Sequence, residues 1–305
     1  MEKVSVLAPA TVANMVCGFD ILGFALEEPN DSMTVRIIKE RKIEIINRDD
    51  FNLPTEAKKN VAGVALLAML ERIDGNIGFE IETTKKIKPG SGIGSSAASA
   101  AGAVVAANHL LDKRFTELDL IEFAMSGEEL ASGSKHADNV APCVLGGVTL
   151  VRSNDPLDVI KLDFPELFVT IVHPQIEVKT SDAREILKQQ ILLKNAIRQW
   201  GNIAGLVAGL MKKDYELISR SLEDRIIEPT RSILIPKFDQ IKTESKQAGA
   251  LGGGISGSGP SIFMLSQTEE TAQKVEGVMR QNYQNIELDF NTYVTKINSN
   301  GVTIV

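Results

Sequence analysis

The sequence predicts an α+β protein of two domains, and three observations carry that expectation. Short β-branched runs alternate with helically spaced apolar residues in both halves of the chain. Two glycine-rich loops, near residues 90 and 250, each sit at the junction of regular elements. The length, 305 residues, suffices for two ordinary domains.

The elements follow in order. Residues 3–8 (KVSVLA), 33–39 and 43–46 alternate as strands do. Residues 58–73 place Val61, Val64, Ala65, Ala68 and Met69 at helical spacing and stop at Asp74-Gly75. Residues 79–84 alternate again. A Gly/Ser loop at 90–96 runs into an Ala-rich helix, a second helix starts near Glu117, and 145–151 reads as a strand. Residues 155–165 hold two prolines and several charges, which divides the chain into domains at 1–155 and 156–305. Beyond it come a strand (167–173) and helices near 190–211, 214–224 and 236–248. The second Gly-rich loop (249–259), a strand (261–265), a helix (268–282) and a strand (287–296) complete the chain.

Composition narrows the function classes. The chain is 43% apolar and 24% charged, as in an average globular protein. Its 33 basic against 40 acidic residues give a net charge of −7, which argues against a nucleic-acid or anionic-membrane binder. A phosphorylated ligand stays open, because backbone N–H groups hold phosphate without net positive charge. Cys17 and Cys143 are far apart and in no metal-like spacing, which fits a reducing compartment. The N-terminus has no signal-peptide h-region, and the apolar stretch 97–111 is too short to span a bilayer. The expectation is a cytoplasmic protein.

Five segments carry candidate chemistry. The first is Pro89-Gly90-Ser91-Gly92-Ile93-Gly94-Ser95-Ser96-Ala97-Ala98-Ser99. Glycines let backbone wrap an anion, the helix start offers unpaired N–H groups, and serine hydroxyls suit phosphate or Mg²⁺. A plain turn capped by Ser95 or Ser96 has the same local pattern; the small-residue helix behind the loop favours the phosphate reading. It is neither a Walker A loop nor a dinucleotide fingerprint. The second is 249–260, six glycines in eleven residues ahead of a strand. It reads as a bulged hairpin loop or as a second loop that approaches the first and closes over the nucleotide. The third, 8–23, sets Asn14 and Asp20 among apolar residues, and Asp20 alone would read as a turn cap.

The fourth segment is 126–142. Leu118, Ile121, Met125 and Glu128 fall on one helical stripe, and Glu129 falls on the polar stripe beside it. A carboxylate in line with a buried face needs a partner or a metal, so Glu128 is the candidate Mg²⁺ ligand. His136 and Asp138 follow in a turn, where a lone histidine is more often a surface residue. The fifth is Lys179-Thr180-Ser181-Asp182-Ala183-Arg184. Arg184 and the later Arg231 can each grip a carboxylate with two prongs, though each alone reads as a surface arginine.

Together the N-terminal APATVAN, the PGSGIGSSAAS loop and the GALGGGISGSGPS loop, in this order, resemble the three motifs of the GHMP kinases. The resemblance spans nearly the whole chain. Within that superfamily, APATVANMVCGFDILG, SGSKHADNVAP and TSDAR are similar to the homoserine kinase family. The resemblance implies a ribosomal protein S5 domain 2-like N-terminal domain, a ferredoxin-like C-terminal domain and a homodimer. It implies transfer of the γ-phosphoryl group of ATP to the side-chain hydroxyl of L-homoserine, on the route to threonine. Carried over by position, Pro89 to Ser99 with Gly257 and Ser258 would bind ATP, and Ser96 and Glu128 would hold Mg²⁺. Asn14, Asp20, His136, Asp138, Arg184 and Arg231 would line the acceptor site, with Thr180 near the γ-phosphate. Asp138 and Thr180 are the candidate catalytic residues, and no clear base is evident. Many members carry Gly-Pro-Gly where this chain has Met15-Val16-Cys17-Gly18-Phe19. Other GHMP kinases, the related diphosphomevalonate decarboxylase and a non-catalytic sensor are the competing readings. The paired arginines count against a sugar acceptor, and the intact loops count against a sensor.

Overall fold

The computed structural model describes residues 3–176, 178, 180–188 and 190–305; the side chains of Thr180 and Ser181 lie outside that description. The N-terminal alternation of Val4, Val6 and Ala8 builds β1 (Lys3–Ala13), which pairs antiparallel with the long β2 (Leu22–Ile38). Sequence patterning stops at Ala8 because Pro9 interrupts it. The strand passes Pro9 through a register shift between Pro9 and Thr11, and a bulge is where a sheet tolerates proline. Beyond the bulge every residue of β1 is buried, so polar alternation vanishes as the strand enters the core.

β3 (Ile43–Asn47) and β4 (Gly78–Thr84) pair in parallel, joined by a single 3₁₀ turn and α1 (Val61–Glu71). α2 (Ser95–Leu110) and α3 (Glu117–Ser132) pack with α1, and α2 lies against β1 and β2. α2 can lie so close because its residues are small: a Cβ on Gly102 would stand 3.1 Å from the Ala8 methyl. A Thr116–Asp119 capping box starts α3, and Gly133 in the left-handed region ends it. Leu118, expected on the buried stripe, is 45% exposed: it sits in the first turn, before α3 meets its neighbours. The short α4 (Val140–Leu145) leads into β5 (Val148–Asn154) and β6 (Leu157–Leu162). Residues 155–156 form the turn between these two strands, and β6 occupies part of the proline-rich stretch. With β11 (Thr303–Ile304) beside β1, the sheet has seven strands.

The second sheet has four antiparallel strands: β7 (Phe168–Pro174), β8 (Gly252–Ile255), β9 (Ile262–Ser266) and β10 (Phe290–Lys296). Their order, β10-β7-β9-β8, is the ferredoxin-like one. β8 lay hidden in the sequence because three of its four residues are glycine, which carries no strand signal. α5 (Thr180–Glu185), α6 (Leu193–Lys212), α7 (Tyr215–Ser221), α8 (Glu228–Arg231) and α9 (Phe238–Gln247) separate β7 from β8. α10 (Glu269–Gln284) separates β9 from β10. A hydrophobic cluster runs through both parts, where Phe24 of the first sheet meets Phe263 of the second edge-on, centroids 5.7 Å apart, and a second cluster around Phe238, Ile241 and Tyr283 lies within the C-terminal part.

Candidate active site

A cavity of about 590 Å³ opens at the N-terminus of α2. Its polar floor is Pro89, Gly90, Gly92, Gly94, Ser95, Ser96 and Ser99, with Glu128 from α3 and Gly257 and Ser258 from the second loop; Leu53, Val61 and Val178 line the apolar side. Gly94 caps α2 at φ 71° and no side chain caps the first turn, so its N–H groups and the helix dipole address the cavity. A Cβ on Gly94 would fall 1.9 Å from Thr11 Oγ1, so no other residue fits there.

The two glycine loops touch. Ser256 Oγ donates to the Gly92 carbonyl at 2.7 Å, and Ser261 Oγ donates to the Ser91 carbonyl at 2.6 Å. The serines divide by role. Ser95 Oγ is spent on the Ile87 carbonyl (2.8 Å) and Ser99 Oγ on the Ser95 carbonyl (3.2 Å), whereas Ser96 Oγ donates to Glu128 Oε2 at 2.7 Å. Ile93, Ala97 and Ala98 are buried beneath the loop, and the Ser91 hydroxyl is buried without a partner; none of the four lines the cavity.

Ser96 and Glu128 test the expected Mg²⁺ site. Burial raises Glu128 to about 7, with the Ser96 hydrogen bond acting the other way. A hydroxyl beside a desolvated carboxylate fits Mg²⁺, which keeps water and phosphate oxygens as its other ligands. Among the described residues no group of three or more His, Cys, Asp or Glu side chains could hold a metal by itself.

A second cavity, about 50 Å³, adjoins the first and shares Glu128, Ser132, Asn139, Gly257 and Ser258 with it. Six side chains from distant segments line it: Asn14, Asp20, His136, Asp138, Arg184 and Arg231. Arg184 grips Asp20 with two prongs, Nη1 to Oδ2 at 3.1 Å and Nη2 to Oδ1 at 2.9 Å. Asn14 donates to the Gly257 carbonyl at 2.7 Å and accepts from the Asp20 N–H at 3.1 Å. Arg231 is buried and donates to the Ala183 and Gly257 carbonyls at 2.8 and 3.2 Å. The Thr180 side chain lies outside the described residues.

Burial dominates the electrostatics here. It lifts Asp138 to about 7, helped by the nearby carboxylates of Asp20 and Glu128. It lowers Arg231 to about 10, helped by Arg184. It also pushes His136 below its usual value, against the pull of Asp20 4.0 Å away, and both ring nitrogens are buried without hydrogen-bond partners. The site therefore offers a zwitterion two cationic and two acidic groups within one small space.

Sequence reasoning missed three contributors. Phe19 lies beneath both arginines, 5.5 Å from Arg184 Cζ and 4.9 Å from Arg231 Cζ, and fixes their planes by cation–π contact. Asn139 accepts from Thr11 Oγ1 at 2.7 Å and lines both cavities. Lys85 is buried in the first cavity, paired with Asp31 and donating to the Ser95 carbonyl (3.1 Å) and Ser99 Oγ (2.8 Å). In sequence Lys85 is one of three lysines before the loop, where a solvated run is the natural reading. Only Asp31, fifty-four positions away, makes its burial tolerable. Asn14, Met15, Val16 and Asp20 all take positive φ (70°, 41°, 65° and 62°). Neither Met15 nor Val16 is glycine, so both hold strained left-handed backbone at roughly 1–3 kcal/mol each.

The chain is similar to known proteins over nearly its whole length. Residues 59–147 match the model of the GHMP kinases N terminal domain, and residues 206–285 match that of the GHMP kinases C terminal domain. A homoserine kinase of Chloroherpeton thalassium is 47% identical over 299 residues, covering 94% of each chain. One of Chlorobium phaeobacteroides is 46% identical, covering 92% of each. The crystal structure of homoserine kinase from Cytophaga hutchinsonii superposes with a TM-score of 0.96 at 50% identity, covering 100% of this chain and 98% of that one. The chain belongs to the GHMP kinases and, within them, to the homoserine kinase family. Its fold is the two-domain fold of that superfamily.

Proposed function

We propose that this protein transfers the γ-phosphoryl group of ATP to the side-chain hydroxyl of L-homoserine, giving O-phospho-L-homoserine, a step toward threonine. The single observation that carries the reading is the pair of abutting cavities. One is a backbone cradle at a helix N-terminus, and the other is a small charged pocket matched to an amino-acid zwitterion.

ATP would lay its phosphates along Gly90 to Ser96 beneath Gly257 and Ser258, with Ser96 and Glu128 holding Mg²⁺. When bound, that ion neutralises charge on the β- and γ-phosphates. Arg184 and Arg231 would take the homoserine carboxylate, and Asp20, freed from Arg184, would take the ammonium with Asn14. His136, whose ring nitrogens have no partner within the chain, would contact the acceptor. Phosphoryl transfer asks the protein mainly for positioning and charge stabilisation, so no strong base is required. The hydroxyl proton passes late, either to the γ-phosphate or to Asp138, which burial leaves able to accept one near neutral pH. Thr180 would sit near the γ-phosphate.

The division into an ATP-binding part (1–155) and a C-terminal part (156–305) belongs to this reading, with β6 and β11 of the second part completing the first part's sheet. So do a homodimer and a cytoplasmic site of action; among the described residues no helix is long and apolar enough to cross a membrane. The test is ADP release from ATP and Mg²⁺ with L-homoserine, mevalonate, galactose or no acceptor. ADP formed with L-homoserine far above the others supports the assignment. Preference for another acceptor would keep the kinase and remove homoserine.

A further inference from the structure

Gln199 is a buried polar side chain on α6 with both ends of its amide engaged. It is 5% exposed, and the buried residues that share its helix face, Ala196 and Leu206, are apolar. A polar group in such a place is costly unless its donor and its acceptor are both used. Nε2 donates to the Cys17 carbonyl at 2.8 Å, and Oε1 accepts from the Arg225 N–H at 2.9 Å.

The two partners belong to different halves of the acceptor pocket. Cys17 lies in the loop of positive-φ residues that presents Asn14, Phe19 and Asp20. Arg225 lies in the turn into α8, whose last residue is Arg231. Each half is held within itself. In the loop, the Gly18 N–H donates to the Asn14 carbonyl at 2.8 Å. In the turn, the buried Asp224 carboxylate accepts from the N–H groups of Ile226, Ile227 and Glu228 at 2.8, 3.1 and 2.8 Å. Between the halves the packing is incomplete: a cavity of about 10 Å³ is lined by Val16 and Phe19 from one and by Asp224, Ile227 and Glu228 from the other. They meet at the Gly257 carbonyl, which accepts from both Asn14 and Arg231. Gln199 adds a second link, anchored on a twenty-residue helix.

We propose that Gln199 is a positioning residue that sets the spacing between Asp20, which reads the acceptor's ammonium, and Arg231, which reads its carboxylate. The inference rests on the assignment of this pocket to an amino-acid zwitterion. Gln199 lines neither cavity and acts only through the Cys17 carbonyl and the Arg225 N–H. The two charges of a small acceptor are a fixed distance apart, so a pocket that reads both is sensitive to the placement of its halves. An acceptor with one charge follows whichever half holds it and does not sense the spacing.

The test crosses variants with acceptors. Gln199→Met keeps the side-chain length and removes both hydrogen bonds. With L-homoserine its KM should rise about tenfold, while kcat and the KM for ATP stay within about threefold of wild type. With 3-amino-1-propanol or 4-hydroxybutyrate, which carry one charge each, kcat/KM should stay within about threefold of the wild-type value for the same acceptor. Gln199→Asn is one methylene too short to span both partners and should give the same split, which keeps the test open if methionine disturbs folding. Equal losses with all three acceptors, or a rise in the KM for ATP, would make Gln199 a packing residue and overturn the inference. Discrimination among the three acceptors that is the same in wild type and both variants would also overturn it and leave the zwitterion reading intact. A wild type that does not distinguish L-homoserine from the one-charge acceptors would overturn both.

Discussion

The two cavities are built in opposite ways. The larger is centred on one stretch of sequence: the 89–94 loop and the start of α2 supply most of its polar floor through backbone and small side chains, with Glu128, Gly257 and Ser258 joining from elsewhere. The smaller draws six polar side chains from four separate stretches of chain, and nearly all are charged or buried. The contrast separates two tasks. A phosphate chain is held by backbone geometry and a helix dipole, which any nucleotide satisfies. An acceptor is selected by fixed charges, whose unpaired burial is expensive when the wrong ligand enters.

If the tasks are separate, substitutions on one side should leave the other untouched. Glu128→Gln has the largest expected effect because Glu128 borders both cavities and is the proposed Mg²⁺ ligand. Its kcat should fall about 10³-fold, several kcal/mol in transition-state charge stabilisation, and the Mg²⁺ concentration needed for half-maximal rate should rise. A loss in homoserine KM alone would place Glu128 with the acceptor. Arg184→Met should raise the KM for L-homoserine about 10²-fold, the value of a lost charge-assisted pair. KM for ATP should stay within about threefold, and steady-state kinetics in both substrates would show it.

Asp138→Asn should be mildest in kcat, within about tenfold at saturating homoserine, because the reaction needs positioning more than a base. A collapse in kcat at saturation would make Asp138 that base. The same variant has a pH signature in stability. Asp138 has a folded pKa of about 7 against the ordinary 3.8, so between those values the unfolded chain has released a proton that the folded chain retains. Stability contributed by that proton is lost as pH rises from about 4 to 7. Asparagine removes the loss. Differential scanning calorimetry of the ligand-free variant should give a Tm above wild type at pH 8 and equal to it near pH 4; equal Tm at both would mean Asp138 is not held protonated by burial.

How much was legible follows from the same contrast. The phosphate loop could be read because strand, Gly/Ser run and small-residue helix stand next to one another, and physics ties that order to an anion site. The local pattern did not separate roles within it: the Ser95 and Ser99 hydroxyls are spent on the Ile87 and Ser95 carbonyls, and Ile93, Ala97 and Ala98 lie under the loop. Asp20, Arg184 and Arg231 each resembled an ordinary surface residue, and only similarity to a family gathered them. Lys85 and Phe19 escaped both routes, since a buried lysine depends on a distant aspartate and a stacked phenylalanine on two distant arginines. In the fold, β8 and the far half of β1 were hidden for local reasons, glycine in one and Pro9 in the other.

The central claim is that the small cavity reads both charges of the acceptor while the large one holds ATP regardless. It is tested most directly with two truncated acceptors, 3-amino-1-propanol, which lacks the carboxylate, and 4-hydroxybutyrate, which lacks the ammonium. For each, kcat/KM should fall at least about 10²-fold below L-homoserine with the KM for ATP unchanged. Turnover of either analogue at the efficiency of L-homoserine would contradict the account, because Asp20, Arg184 and Arg231 would then not be what selects the substrate.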